Sequence, residues 1–203
     1  VIYERSKIVF MPPFATADRL TSYYFNYVFR MVPSNSIAAE QTASVGKALG
    51  YQKLVVLYSR EEVSRELAFL VENAALEHGI EITSRLSFFE KSENHRAVIA
   101  EFSNKEFDAV FIAASSAPSG VMVKQLREMG VHQPILGSDS MNSPVYLEAA
   151  GDSAENTIIP VIYHPNKKIA RFQTFIQRYK DMFGDVPDYN AAQGYDSLMF
   201  PTT

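Results

Sequence analysis

Apolar residues along this chain fall into short continuous runs of strand length, separated by stretches whose apolar positions recur with helical spacing. The clearest example is Phe107–Ser140. Ala109–Ala114 is an unbroken apolar run, followed by a small polar segment, Ser115–Gly120, that reads as a turn. Val121, Val123, Leu126 and Met129 then mark one face of a helix stopped by Gly130, and Pro134–Gly137 is a second short strand ending on Ser138 and Asp139. Strands without polar alternation, joined through an amphipathic helix, predict a parallel sheet covered on both faces. In such sheets ligands sit beyond the carboxyl ends of the strands.

The same rhythm runs through the rest of the chain. Val1–Arg5 reads as the tail of a helix, and Lys7–Met11 and Asn26–Val32 read as strands closed by Pro12, Pro13 and Pro33. The pattern predicts a helix over Ile37–Leu49, stopped by Gly50, and a strand over Leu54–Tyr58. Ser59 with Glu62 three places on matches a capping box for a long helix striped by Val63, Leu67, Leu70, Val71, Ala74 and Ala75. Ile80–Phe89 is a predicted strand, Asn94–Phe102 a helix, and Ser143-Pro144 opens a short helix ending before Gly151. Thr157–Tyr163 is apolar but contains Pro160, which assigns it to an edge or a bulge. Helices over Ile169–Phe183 and from Tyr189 complete the pattern. About six strands alternating with seven helices define an α/β protein with parallel sheet. The rhythm is self-contained from about 35 to 163, which predicts one lobe there and a second built from 1–34 and 164–203.

Composition mainly excludes. A length of 203 residues suffices for a real core, and a net charge of −4 leaves no basic field for nucleic acid. No apolar run approaches the ~20 residues of a membrane span. Cysteine is absent, so no disulfide framework or thiolate metal site exists. There is no GxGxxG or GxxxxGK[ST] loop, and Gly137-Ser138-Asp139-Ser140 lacks the second glycine of a nucleophile elbow. None of His78, His95, His132 and His164 is paired at metal-ligand spacing; His78 and His132, next to glycines, read as caps of helix-end carbonyls. What remains is a set of small polar groups at strand ends: Ala15 and Thr16, Ser59, Ser115 and Ser116, and Asp139. Singly each reads as an N-cap; together on one sheet edge they suggest a ligand site without a catalytic constellation.

Six ordered segments carry a resemblance: MPPFATADRL (11–20), VFRMVPSNS (28–36), KALGYQKLVVLY (47–58), FDAVFIA (107–113), LREMGVHQPILGSD (126–139) and GYDSLMF (194–200). In this order and spacing the chain resembles the periplasmic substrate-binding proteins of branched-chain amino acid transporters, of the leucine/isoleucine/valine-binding type with the type I periplasmic-binding-protein fold. The resemblance implies one nearly complete lobe plus parts of a second, with ligand held in the interlobe cleft. Members of that family extend further at both ends, so the chain is expected to be an interior fragment.

By the same resemblance, the loop Phe14-Ala15-Thr16 binds an amino-acid head group through backbone and hydroxyl, Asp139 pairs with the ammonium, and Ser115 or Ser116 lines the pocket. Val63-Ser64 stands where the family usually carries tyrosine and glycine, and Phe14 where glycine is common. The implied function is an extracytoplasmic, non-enzymatic solute-binding protein, periplasmic or extracellular, that delivers a small amino acid or related carboxylate to a membrane ABC permease, with no cofactor. The alternatives are a ligand-sensing ectodomain or amide-type sensor of the same fold and, further off, an α/β hydrolase.

Overall fold

The computed structural model describes residues 2–164 and 168–200, which form two compact units: 35–160, and 1–34 together with 161–203. In chain order the helices are α1 (Ile2–Arg5), α2 (Asn35–Ala48), α3 (Glu62–Glu77), α4 (Arg96–Ala100), α5 (Ser116–Glu128), α6 (Pro144–Ala150), α7 (Ala170–Phe183) and α8 (Tyr189–Met199). The strands are β1 (Lys53–Ser59), β2 (Glu81–Phe88), β3 (Ala109–Ala113), β4 (Ile135–Gly137) and β5 (Thr157–Ile158). Val1, which the sequence reading places in the tail of a helix, lies outside the described residues.

Unit 35–160 is a five-stranded parallel sheet in the order β2-β1-β3-β4-β5. β3 is buried at all five positions and serves two cores at once. Val110 and Ile112 join Val55, Leu57 and Ile135 against Met122, Val123 and Leu126 of α5. Ala109, Phe111 and Ala113 join Leu54, Val56 and Leu136 against Ala39 and Ala43 of α2 and Leu67, Val71 and Ala75 of α3. This two-faced burial is why these strands carry no polar alternation.

Several predicted boundaries are corrected. Ser115–Gly120 is not a turn: Ser115 is the N-cap and the helix starts at Ser116. Ser119 and Gly120 are among its buried residues, so small side chains here serve close packing rather than chain reversal. The capping box is absent, because Ser59 is still the last residue of β1, fully buried with an unpartnered Oγ, and Glu61 holds the N-cap position. α4 spans only five residues, with His95 at its N-cap. The Nε2 of His78 meets Glu40 Oε1 at 2.7 Å rather than capping a carbonyl. β5 stops after two residues because Pro160 has no N–H to extend the ladder.

In the other unit, the two predicted strands reduce to one parallel bridge, Phe10 with Val28. Pairing between two isolated segments is marginal without further strands on either side. α7 has no buried residue, whereas α8 buries Ala192 and Gln193 and is capped by the Asp188 carboxylate on the Ala191 N–H at 2.8 Å.

Gly120 explains how α5 and α6 pack. A Cβ there would stand 2.6 Å from Ala149 Cβ, 2.8 Å from the Tyr146 carbonyl oxygen and 2.9 Å from the Ala150 nitrogen. An exposed helical glycine replaced by alanine stabilises by roughly 1 kcal/mol. Here the contact is with backbone, which does not move aside cheaply, so Gly120→Ala is expected to reverse that sign and destabilise by about 1–3 kcal/mol. Urea melts of the two proteins give the sign directly, and a gain in stability would contradict the packing described.

Candidate functional site

The strand order places β2 on one side of β1 and β3, β4 and β5 on the other, so the chain reverses direction of growth between β1 and β3. Ligands in open parallel sheets bind beyond the carboxyl ends of the strands at such a switch point. The register fixes which residues meet there. Tyr58 lies beside Ala113, and Ile112 beside Gly137, so Ser59, Ala114 and Ser138 come next at one edge. Val63, Ser115, Ser116 and Asp139 follow within a few residues, across strands spaced ~4.8 Å apart.

Val63 falls in the first turn of α3, one turn before the buried Leu67 on the same helix face. It is 57% exposed, so the predicted apolar stripe begins at Leu67 and Val63 projects past the end of the core. Ser115 is tied to Glu90, from the loop after β2. Its N–H donates to Glu90 Oε1 at 2.9 Å, and its hydroxyl lies 3.0 and 2.9 Å from the two carboxylate oxygens. That carboxylate sits at the positive end of α5, where its charge is favoured. Ser116 donates its hydroxyl to the Ser140 carbonyl at 2.7 Å. Both serine protons are thus used within the protein.

Asp139 is arranged differently. It opens a 3-10 turn, Asp139–Met141, directly after β4. Beneath the turn Met141 is 1% exposed, and it fits only because residue 137 is glycine: a Cβ there would lie 2.1 Å from Met141 Sδ and 2.9 Å from Ile159 Cγ2. Glu90 is satisfied by Ser115, whereas among the described residues no side chain pairs with the Asp139 carboxylate. The side chain reaches solvent, yet the protein crowded around it pushes the carboxyl above its ordinary value; the N–H groups of Ser140 and of Asp139 itself pull partly back. An acid at the sheet edge that resists ionising and has no counter-ion among the described residues is suited to receiving a cationic group.

In unit 1–34 with 161–203, the loop Phe14-Ala15-Thr16 is shaped by Arg30, a residue that sequence reasoning missed. The Arg30 guanidinium donates to the carbonyls of Ala15 at 2.7 Å and Ala17 at 2.6 Å, with Thr21 Oγ1 at 3.3 Å. Phe14 is 44% exposed and lies against the Tyr189 ring, with centroids 5.9 Å apart. Glu90 was missed as well. Only the tertiary fold brings Arg30 and Glu90 to their partners, 15 and 25 residues away in sequence. Among the described residues no group of three or more His, Cys, Asp or Glu could hold a metal, and no helix is long and apolar enough to cross a membrane.

Comparison with known proteins identifies this architecture. The family model described as periplasmic binding protein matches residues 1–201, and the chain belongs to that family. Among curated relatives, the Leu/Ile/Val/Thr-binding protein of Salmonella typhimurium is 20% identical over 159 residues, 78% of this chain and 44% of that protein. The chain therefore spans less than half the length of that relative. Among solved structures, a leucine-binding protein from Thermotoga maritima superposes with a TM-score of 0.89 at 24% identity, covering 98% of this chain and 57% of that one. The branched-chain amino acid transporter substrate-binding protein of Streptococcus pneumoniae, solved with isoleucine, gives a TM-score of 0.83 at 22% identity over 97% of this chain and 56% of its own. The fold is that of the type I periplasmic binding proteins. These relatives are substrate-binding proteins rather than enzymes, which sets the hydrolase alternative aside.

The unpaired Asp139 carboxylate has a consequence for stability. A carboxyl whose value is raised by folding penalises the native state above that raised value and costs nothing below the unfolded value, near 3.9. Asp139→Asn in the ligand-free protein is therefore expected to raise the melting temperature at pH 7, with the gain shrinking to nothing as the pH falls to about 4. A loss of stability at pH 7 would instead identify Asp139 as a structural cap.

Proposed function

We propose that the protein is an extracytoplasmic solute-binding protein that captures a small amino acid or related carboxylate and delivers it to a membrane ABC permease. Asp139 receives the ligand ammonium. The loop Phe14-Ala15-Thr16, held by Arg30 through the carbonyls of Ala15 and Ala17, is a second proposed contact for an amino-acid head group, through its backbone N–H groups and the Thr16 hydroxyl. The single observation that carries this reading is the placement of Asp139: an acid without a side-chain partner, at the carboxyl edge of the sheet, with its ionisation disfavoured.

The supporting role of the relatives is consistent in chemistry. Their names specify leucine, isoleucine, valine or threonine, each of which presents an ammonium beside a carboxylate. With valine at position 63 and serines at 115 and 116, this chain surrounds the edge with small groups. Such a wall selects by volume and apolar contact rather than by aromatic packing.

Desolvated ammonium–carboxylate pairs are charge-assisted, and removing one partner typically costs ~2–5 kcal/mol. In the complete protein, calorimetric titration with L-leucine is expected to weaken roughly 30-fold or more on Asp139→Asn, since ~1.4 kcal/mol is tenfold. Binding of 4-methyl-2-oxopentanoate, which has the same side chain and carboxylate but a ketone in place of the ammonium, should change little or improve. Equal titration curves for wild type and Asp139→Asn with leucine would remove Asp139 from the site.

A further inference from the structure

Asp139 lies between two serines, of which Ser140 is fastened to the neighbouring strand end and Ser138 to Ser140. The Ser140 hydroxyl lies 2.7 Å from the Ala114 carbonyl oxygen, at the end of β3. The hydroxyls of Ser138 and Ser140 are 2.7 Å apart. A serine hydroxyl has one proton, and Ser140 gives its own to Ala114, so Ser138 is the donor of that pair. The result is a directed chain, Ser138 O–H to Ser140 O–H to Ala114 C=O, in which each bond polarises the next. The backbone of Ser140 is held too, because its carbonyl accepts the Ser116 hydroxyl at 2.7 Å. Ser119 Oγ adds a weaker contact to the Ala114 carbonyl at 3.3 Å.

Two features set this arrangement apart from ordinary capping. The neighbouring acid at the same edge, Glu90, is held by hydrogen bonds to its own carboxylate. Asp139 is held by its neighbours, through bonds that leave its carboxylate oxygens unpaired with any side chain. The serine chain joins the β4 turn to the end of β3, and the Ser116 bond to the Ser140 carbonyl joins it to the first turn of α5, so the residues assigned to the site from β3 and β4 are tied together. A recognition group held in place with no side-chain partner to displace is preorganised for a ligand.

We infer that Ser140 is a positioning residue for ligand ammonium recognition, holding the Asp139 carboxylate in its binding orientation through the Ser138–Ser140–Ala114 chain. The inference rests on the proposed ammonium site and assigns what sets its geometry. It makes Ser140 matter for a ligand only in so far as that ligand has an ammonium. Ser140→Thr keeps the hydroxyl and preserves the function; Ser140→Ala removes it and frees the turn.

The experiment is a titration of the complete protein with L-leucine and with 4-methyl-2-oxopentanoate, for wild type, Ser140→Ala, Ser140→Thr and Ser138→Ala, beside thermal melts. Ser140→Ala is expected to weaken leucine roughly fivefold or more, the scale of one lost hydrogen bond, and to leave the keto acid within about twofold. Ser140→Thr should restore leucine affinity, and Ser138→Ala, which removes the first donor of the chain, should give a smaller loss of the same kind. Should Ser140→Ala fold poorly, Ser138→Ala carries the same comparison. Equal losses for both ligands, or leucine binding unaffected by Ser140→Ala and Ser138→Ala, would overturn the positioning role while leaving Asp139 as the ammonium site. Failure of the wild type to bind either compound would overturn the ligand reading itself, and the positioning role with it.

Discussion

Strand β3 is the constraint on which unit 35–160 depends. Its five residues are buried on both faces, so every backbone polar group must be satisfied by β1 on one side and β4 on the other. That requirement sets the parallel register, and the register lines up the strand ends. Past Ala113 the ladder stops, and the Ala114 carbonyl must find donors elsewhere. It finds Ser140 and, more weakly, Ser119. The chemistry at the edge is thus a direct continuation of the burial beneath it: where the sheet runs out of backbone partners, serine hydroxyls replace them.

This continuation explains how the proposed site could be specific with so few reactive groups. Glu90 neutralises the start of α5 through Ser115, Ser116 ties down the β4 turn, and Gly137 makes room for Met141 below it. The first two contacts consume polar groups that would otherwise compete for a ligand at the proposed site. The carboxylate of Asp139 is left, crowded by protein and unpaired with any side chain. A binding protein needs little more than a rigid edge and a correctly placed charge, because it holds its ligand without transforming it.

Much of this architecture was legible in the sequence because burial leaves a periodic trace. The apolar runs that became β1, β3 and β4, and the stripe Leu67, Val71, Ala74, Ala75 of α3, lie where pattern placed them. Readings based on local chemistry fared worse where tertiary contacts override it. Ser59 looked like a cap and is a strand terminus, and Ser115–Gly120 looked like a turn and opens α5, since small residues serve equally for reversals and for close helix packing. The segments near Phe10 and Val28 have strand composition but only each other to pair with. At the site, Asp139 was visible as an acid ending a short strand. The Arg30 clamp, Glu90 and the serine chain were not, because each joins residues 13 to 26 apart or depends on which way a hydroxyl turns.

The proposed site turns on Asp139, which follows β4 with no side-chain counter-ion among the described residues. Carbon-13 NMR of the Asp139 side-chain carboxyl across a pH titration of the complete protein measures this directly. Without ligand the carboxyl should titrate above the ordinary aspartate value of about 3.9. With saturating L-leucine the new counter-ion should lower that value. A carboxyl that titrates at the ordinary value in the free protein, or that is unmoved by bound leucine, would contradict the account.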